Sequence, residues 1–274
     1  MPVFLSHKNH QLEYFVFGEG SKWMIAFHGF GRSADDFKVF ENYIGNEYKI
    51  LSINLFHHGN SKLTSEKKLT KNDIKSIFEK LFDSLNISEF SLMGYSIGGR
   101  MVFTLLELFP EKVNAIQLFA PDGLVKKHWI NFLNFTLFGK LIYKVFTDQG
   151  QLIIPVLNFI KFAKLIDPKL HQFIFINIET YQKRKFVTKV WLTYRNIFPD
   201  VLKIKKILHQ YQTPFDLYIG IYDQVITLKQ AKHFIEKIHC PCLKLTLLET
   251  GHNLITEKTL NTLFDKRIKQ RDFL

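Results

Sequence analysis

The sequence predicts an α/β protein: a mostly parallel central sheet with helices on both faces and an inserted helical lobe. Three observations carry this. Strand-like runs alternate with helix-like runs from residue 11 to 120, and the rhythm returns from 215 to 270. That order implies β–α–β units around a parallel sheet. Between residues 125 and 206 the rhythm breaks, and an aromatic, basic stretch with no clear strand run takes its place.

The elements follow in order. "QLEYFVFG" (11–18) and "KWMIAFHG" (22–29) read as strands joined by the turn "EGS". "ADDFKVFENYI" (34–44) has helical spacing, and "YKILSINLF" (48–56) reads as a buried strand. "LTKNDIKSIFEKLFDSL" (69–85) is an amphipathic helix with Thr70 and Asp73 placed as a capping pair. "EFSLMGY" (89–95) is a strand that runs into Ser96. "IGGRMVFTLLELF" (97–109) is a helix stopped by Pro110, and "VNAIQLFA" (113–120) is the next strand. In the second stretch, strands at 215–222 and 242–249 alternate with helices at 227–239 and 255–270. Within the lobe, "HWINFLNFTLFGKLIYKVF" (128–146) and "TYQKRKFVTKVWLTYRNIF" (180–198) have the look of helices. The expected organisation is a core of residues 1–124 and 207–274 and a helical cap of residues 125–206.

Chemistry is concentrated at strand ends. Ser96 stands in the frame "GYSIGGR" (94–100), after a strand and before a helix. Such a sharp turn admits only small neighbours, which Gly94 and Gly98 supply, and it leaves a hydroxyl projecting at the carboxyl end of the sheet. The N–H of Ile97, at a helix N-terminus, is placed to stabilise a developing oxyanion. A serine nucleophile needs a base, and the base needs an orienting carboxylate. Asp223, ending "FDLYIGIYD", and His252, in "LLETGHNLI", supply both in the order serine, acid, histidine. Asp122, in "APDG" after an earlier strand, is the rival acid. A second oxyanion donor is expected from the loop "HGFG" (28–31), with the N–H of Phe30 as the candidate.

These residues resemble the α/β-hydrolase superfamily, in a form with a serine nucleophile and a helical cap. The resemblance rests on "HGFGRSADDF" (28–37), "GYSIGGR" (94–100), "GIYD" (220–223) and "GHNL" (251–254). The stretch "NLFHHGNS" (54–61) resembles the family's D-x-P-G-H-G-x-S, but Asn54, Phe56 and His57 depart from it. The resemblance implies a serine hydrolase acting on a carboxylic ester or related acyl bond, with Ser96, His252 and Asp223 as the triad. It calls for no cofactor. His28, Tyr95 and Arg100 are the candidate substrate-binding residues. The same motifs also resemble the menaquinone-pathway lyase that eliminates pyruvate to make succinyl-hydroxycyclohexadiene carboxylate. There the serine would act as a base and Arg100 would meet a substrate carboxylate. A carbon–carbon bond hydrolase is a third use of the same frame.

Charge is unevenly placed. The 274-residue chain has a net charge of +12, and residues 125–206 hold 15 Lys and Arg against four acids, together with 15 of the aromatic side chains. Three readings compete for this stretch. It is a helical cap with an aromatic core and a solvated lysine face, or a cap that rests on an anionic membrane and admits a lipid-like acyl group, or one that helps bind an anionic substrate. No nucleic-acid recognition motif accompanies the charge. The start has no signal-peptide pattern, and no run approaches the length of a membrane span. Cys240 and Cys242, separated by one proline, read as reduced thiols, and no Cys/His set completes a metal pattern. Together these features lead to the expectation of a cytoplasmic enzyme with a small-molecule acyl substrate that carries an apolar group.

Overall fold

The computed structural model of the protein describes residues 1–8, 10–64, 69–125 and 137–271. Eight strands form one sheet: β1 (Val3–His7), β2 (His10–Phe17), β3 (Lys22–Phe27), β4 (Tyr48–Ile53), β5 (Phe90–Tyr95), β6 (Val113–Phe119), β7 (Phe215–Gly220) and β8 (Leu243–Leu248). Their order is β1-β2-β4-β3-β5-β6-β7-β8. The β1–β2 and β2–β4 pairs are antiparallel, and every pair from β4 to β8 is parallel. This is the α/β-hydrolase fold.

Burial explains which strands were legible. All six residues of β5 are buried, and so are the last four of β3 and of β4, as expected of parallel strands covered on both faces. Strand β1 was not anticipated. Only Leu5 of its five residues is buried, so this edge strand carries no apolar pattern to read.

The helices around the sheet are α1 (Glu41–Ile44), α2 (Lys71–Leu85), α3 (Gly98–Leu108), α8 (Val201–Tyr211), α9 (Leu228–Ile238) and α10 (Glu257–Arg271). Helix α2 buries Ile74, Ile77, Phe78, Leu81 and Phe82, the three-and-four spacing of one helical face. Its start is the expected capping box: the Asp73 N–H donates to Thr70 Oγ1 at 3.2 Å, and the Thr70 N–H donates to the Asp73 carboxylate at 2.9 Å. Thr227 and Gln230 cap α9 in the same way. Residues 34–44, expected as one helix, are a 3-10 turn over Ala34–Phe40 followed by the single turn of α1.

Contacts divide the chain into two units. The larger comprises 1–66, 70–125 and 197–274; the smaller comprises 67–69 and 126–196. Expected to end at 206, the insertion gives way to the larger unit at 197, and α8 groups with that unit. The smaller unit contains α4 (Leu137–Asp148), α5 (Ile153–Phe162), α6 (Pro168–Ile178) and α7 (Tyr181–Tyr194). Of the helix expected over 128–146, residues 128–136 lie outside the described residues and 137–146 belong to α4.

One expectation is corrected. Cys240 and Cys242 form a disulfide, not a pair of reduced thiols. The turn at Pro241 brings their Cα atoms to 5.3 Å, inside the range a bridge spans.

Candidate functional site

The site is assembled within the larger unit from loops at the carboxyl ends of parallel strands, where open α/β sheets collect their ligands. Ser96 follows β5 directly and has φ of +50°. A non-glycine residue there is strained and has to be held. Three backbone bonds hold it: the Ser96 N–H donates to Phe119 O at 3.1 Å, and Ser96 O accepts from the N–H of Gly99 at 2.9 Å and of Asp122 at 2.7 Å. Glycine is required at 98 because a Cβ there would lie 2.0 Å from the Phe27 carbonyl oxygen. Strand β3 and helix α3 therefore approach each other through a position that admits no side chain.

His252 lies in the loop after β8, with Nε2 3.1 Å from Ser96 Oγ and Nδ1 2.8 Å from Asp223 Oδ2. With the serine hydroxyl donating to Nε2, Nδ1–H donates to the carboxylate. Asp223, in the loop after β7, is buried. Its Oδ1 accepts from the N–H of Val225 at 2.7 Å and of Ile226 at 2.9 Å. Three donors thus fix a carboxylate that fixes an imidazole beside a hydroxyl. The arrangement can take a proton from Ser96 and carry the resulting positive charge against Asp223.

Asp122, the rival acid, turns elsewhere. Its Oδ2 lies 2.6 Å from an Arg100 guanidinium nitrogen, and its Oδ1 accepts from the Gly123 N–H at 2.8 Å. Arg100 is 1% exposed, and its guanidinium also lies over the Phe198 ring at 5.1 Å. The structure thus brings Arg100 to Asp122 rather than to Ser96.

The "HGFG" loop passes beside the serine. A Cβ at Gly29 would lie 3.4 Å from Ser96 Cβ and 2.7 Å from the Tyr95 ring. Phe30 follows Gly29 in this loop, and Ile97 precedes α3, where the first-turn N–H groups have no acceptor within the helix. His28 is fully buried and acts as a strut. Its Nδ1–H donates to Gly29 O at 2.7 Å, and its Nε2 accepts from the Leu55 N–H at 3.0 Å. Burial, then the neighbouring His58, pushes its pKa down to about 3, so the ring is neutral. His58 braces the other side of the loop: its Nε2 accepts from the Gly31 N–H at 3.1 Å. Burial also lowers its pKa.

Of the residues that tie these loops together, sequence reasoning named Tyr95 only as a candidate substrate contact and missed Arg32 and Glu13. Tyr95 is buried, and its hydroxyl donates to the His252 carbonyl at 3.1 Å. Burial pushes that phenol up to about 12. Arg32 lies over the Tyr95 ring at 5.4 Å, donates to Asn253 Oδ1 at 2.9 Å and pairs with Asp36. It links the loop after β3 to the loop that carries His252. The departures at 54–61 have their own answer. Asn54 Oδ1 accepts from the Ala34 N–H, while its amide donates to the buried Glu13 carboxylate, both at 2.7 Å. Glu13 also accepts from the backbone and side-chain N–H groups of Asn60. Burial opposes its ionisation, but these bonds win and hold its pKa below the usual glutamate value. The only sequence signal for Arg32 was its place directly after "HGFG"; for Glu13 there was none.

Residues 22–149 match the family described as alpha/beta hydrolase fold. Two curated relatives match part of the chain. The dihydrolipoyllysine-residue acetyltransferase component of an acetoin cleaving system from Pseudomonas putida is 29% identical over 110 residues. A Bacillus subtilis (strain 168) protein named "Putative 2-succinyl-6-hydroxy-2,4-cyclohexadiene-1-carboxylate synthase" is 27% identical over 112 residues. Each match covers 39% of this chain, but only 29% and 40% of the respective relative. Among solved structures, a thermophilic esterase from Thermogutta terrifontis superposes with a TM-score of 0.68 at 14% identity, covering 99% of this chain and 98% of that one. MGS-M2, an α/β-hydrolase enzyme from a Medee basin deep-sea metagenome library, gives 0.68 at 17% identity over 96% of this chain and 95% of that one. At such identities the likeness speaks for the fold. The sheet order, the family model matched over residues 22–149 and these structures agree on one architecture: the chain has the α/β-hydrolase fold.

Proposed function

We propose that the protein is a serine hydrolase that cleaves a carboxylic ester or a related acyl bond through an acyl-enzyme. Ser96 Oγ attacks the acyl carbon while His252 Nε2 takes its proton, and Asp223 holds the imidazole in the tautomer that can do so. The N–H groups of Ile97 and Phe30 receive the oxyanion. His252 then returns the proton to the leaving group, and water releases the acyl group by the same steps in reverse order. The observation that carries this reading is the continuous path Ser96–His252–Asp223, at 3.1 and 2.8 Å.

A second reading has a specific observation behind it, the Bacillus subtilis relative. A lyase of that kind would draw on Arg100 for a substrate carboxylate. The burial of Arg100 against Asp122 favours the hydrolase instead. The assignment of residues 125–206 as a cap that selects an apolar acyl group is part of the proposal.

Turnover of p-nitrophenyl esters of graded acyl length, by wild type and Ser96→Ala, tests it. The reading expects ester turnover that depends on chain length and is lost in the variant. Negligible ester turnover beside efficient pyruvate elimination would replace the hydrolase with the lyase.

A further inference from the structure

Helix α5 is held to the rest of the smaller unit along one side. Leu157 is its buried residue, and Asn158 Oδ1 lies 3.0 Å from His171 Nε2 on α6. Its other side is apolar and uncovered. Val156 is 56% exposed, Phe159 66% and Phe162 84%, and Leu152, just before the helix, is 67% exposed. At 100° per residue these positions fall within an arc of about 120°, centred opposite Leu157. Isolated exposed apolar residues are ordinary, but a continuous stripe ending in two exposed phenylalanines marks an interaction surface.

The chain beside the stripe is basic. No acid occurs between Asp148 and Asp167, while Lys161 and Lys164 stand exposed beside Phe162. Lys161 projects from the side away from the stripe. A helix lying flat in a membrane interface has that geometry: its apolar side enters the acyl boundary and its lysines stay at headgroup level. A partner protein's apolar groove would not call for the lysines. The ten-residue helix is about 15 Å long against a hydrocarbon core of about 30 Å. Among the described residues no helix is long and apolar enough to cross a membrane. The stripe therefore fits lying on a bilayer and not spanning one.

We infer that the exposed face of α5 docks the protein on an anionic lipid surface, with Phe159 and Phe162 entering the acyl boundary and Lys161 and Lys164 meeting the headgroups. This is independent of the reaction at Ser96, since binding is read without turnover. The test is co-sedimentation of the full chain with vesicles of phosphatidylcholine containing phosphatidylserine, and of phosphatidylcholine alone, at low and moderate salt. Wild type should bind the anionic vesicles, more weakly as salt rises. Phe159→Gln/Phe162→Gln should lower partitioning about tenfold or more, and Lys161→Gln/Lys164→Gln about tenfold with a flatter salt dependence. Circular dichroism checks that each variant is folded, and Leu152→Gln/Val156→Gln provides a second probe of the same stripe. Equal binding to the two vesicle types, or binding unchanged in the phenylalanine variant, would overturn the inference. So would a dimer in sedimentation velocity that the phenylalanine variant dissociates, because a second copy would then own the face.

Discussion

The loops around Ser96 and the outer side of α5 use their side chains in opposite ways. In the larger unit, the polar groups near Ser96 are buried and bonded to backbone. Asp223 takes two N–H groups in addition to His252, His28 joins Gly29 to Leu55, and Glu13 takes its bonds from Asn54 and Asn60. In the smaller unit, α5 leaves Val156, Phe159 and Phe162 exposed. The first pattern fixes atoms to within tenths of an ångström, because a buried polar group that shifts loses its partner. The second fixes little and suits a soft, non-directional surface. Substitutions in the larger unit should therefore cost activity or stability in steps set by hydrogen bonds, while those on α5 should leave both nearly untouched.

The largest effect is expected at the acid. Asp223→Asn removes the acceptor that sets the His252 tautomer and should lower kcat for ester turnover about 10⁴-fold. Asp122→Asn should leave kcat within about tenfold but remove the charge paired with the buried Arg100, at a cost of about 3 kcal/mol in denaturant unfolding. The reverse ranking would move the acid to the loop after β6.

Next is the stability carried by His28. Its folded-state pKa is lowered from 6.5 to about 3. The unfolded chain therefore binds a proton that the folded chain refuses. This contribution is complete above pH 6.5 and is lost as the pH falls toward 3, at about 1.4 kcal/mol per pH unit for one such group. His28→Gln should be less stable than wild type at pH 7, and its unfolding free energy should fall less steeply between pH 6 and about 4. Parallel profiles would mean that His28 is protonated in the folded protein.

Tyr95→Phe sharpens the comparison at a single hydrogen bond. It removes the donor to the His252 carbonyl while keeping the ring, and should cost about 1 kcal/mol, read as roughly a fivefold fall in kcat with KM unchanged. A change in KM alone would make Tyr95 a substrate contact instead of a brace for the histidine loop. The smallest effect belongs to α5: Val156→Gln should alter thermal stability by no more than about 0.5 kcal/mol. A larger loss would mean that the stripe is covered within the folded chain.

Legibility in the sequence follows the same division. Ser96, Asp223 and His252 stood out because each follows a parallel strand, and because short glycine frames mark the turns. The Thr70–Asp73 cap was readable because its partners are three residues apart. Arg32 and Asn253 are 221 residues apart, and Asn60 lies 47 residues from Glu13. No local pattern joins such partners, so the network that braces the site was invisible. Glu13 lies in a strand run with nothing local to mark it as buried. The aromatic content of 125–206 was plain, but which of its residues are buried depends on how α4 to α7 pack, and the sequence has no marker for that.

The central claim is that Ser96 is an activated nucleophile, and covalent trapping tests it most directly. Wild type treated with a fluorophosphonate should gain one adduct, and peptide mapping should place it on Ser96. Ser96→Ala should gain none. His252→Ala should react at least about 10³-fold more slowly, since the hydroxyl has lost its base. Equal labelling of wild type and Ser96→Ala, or an adduct mapped to another residue, would contradict the account.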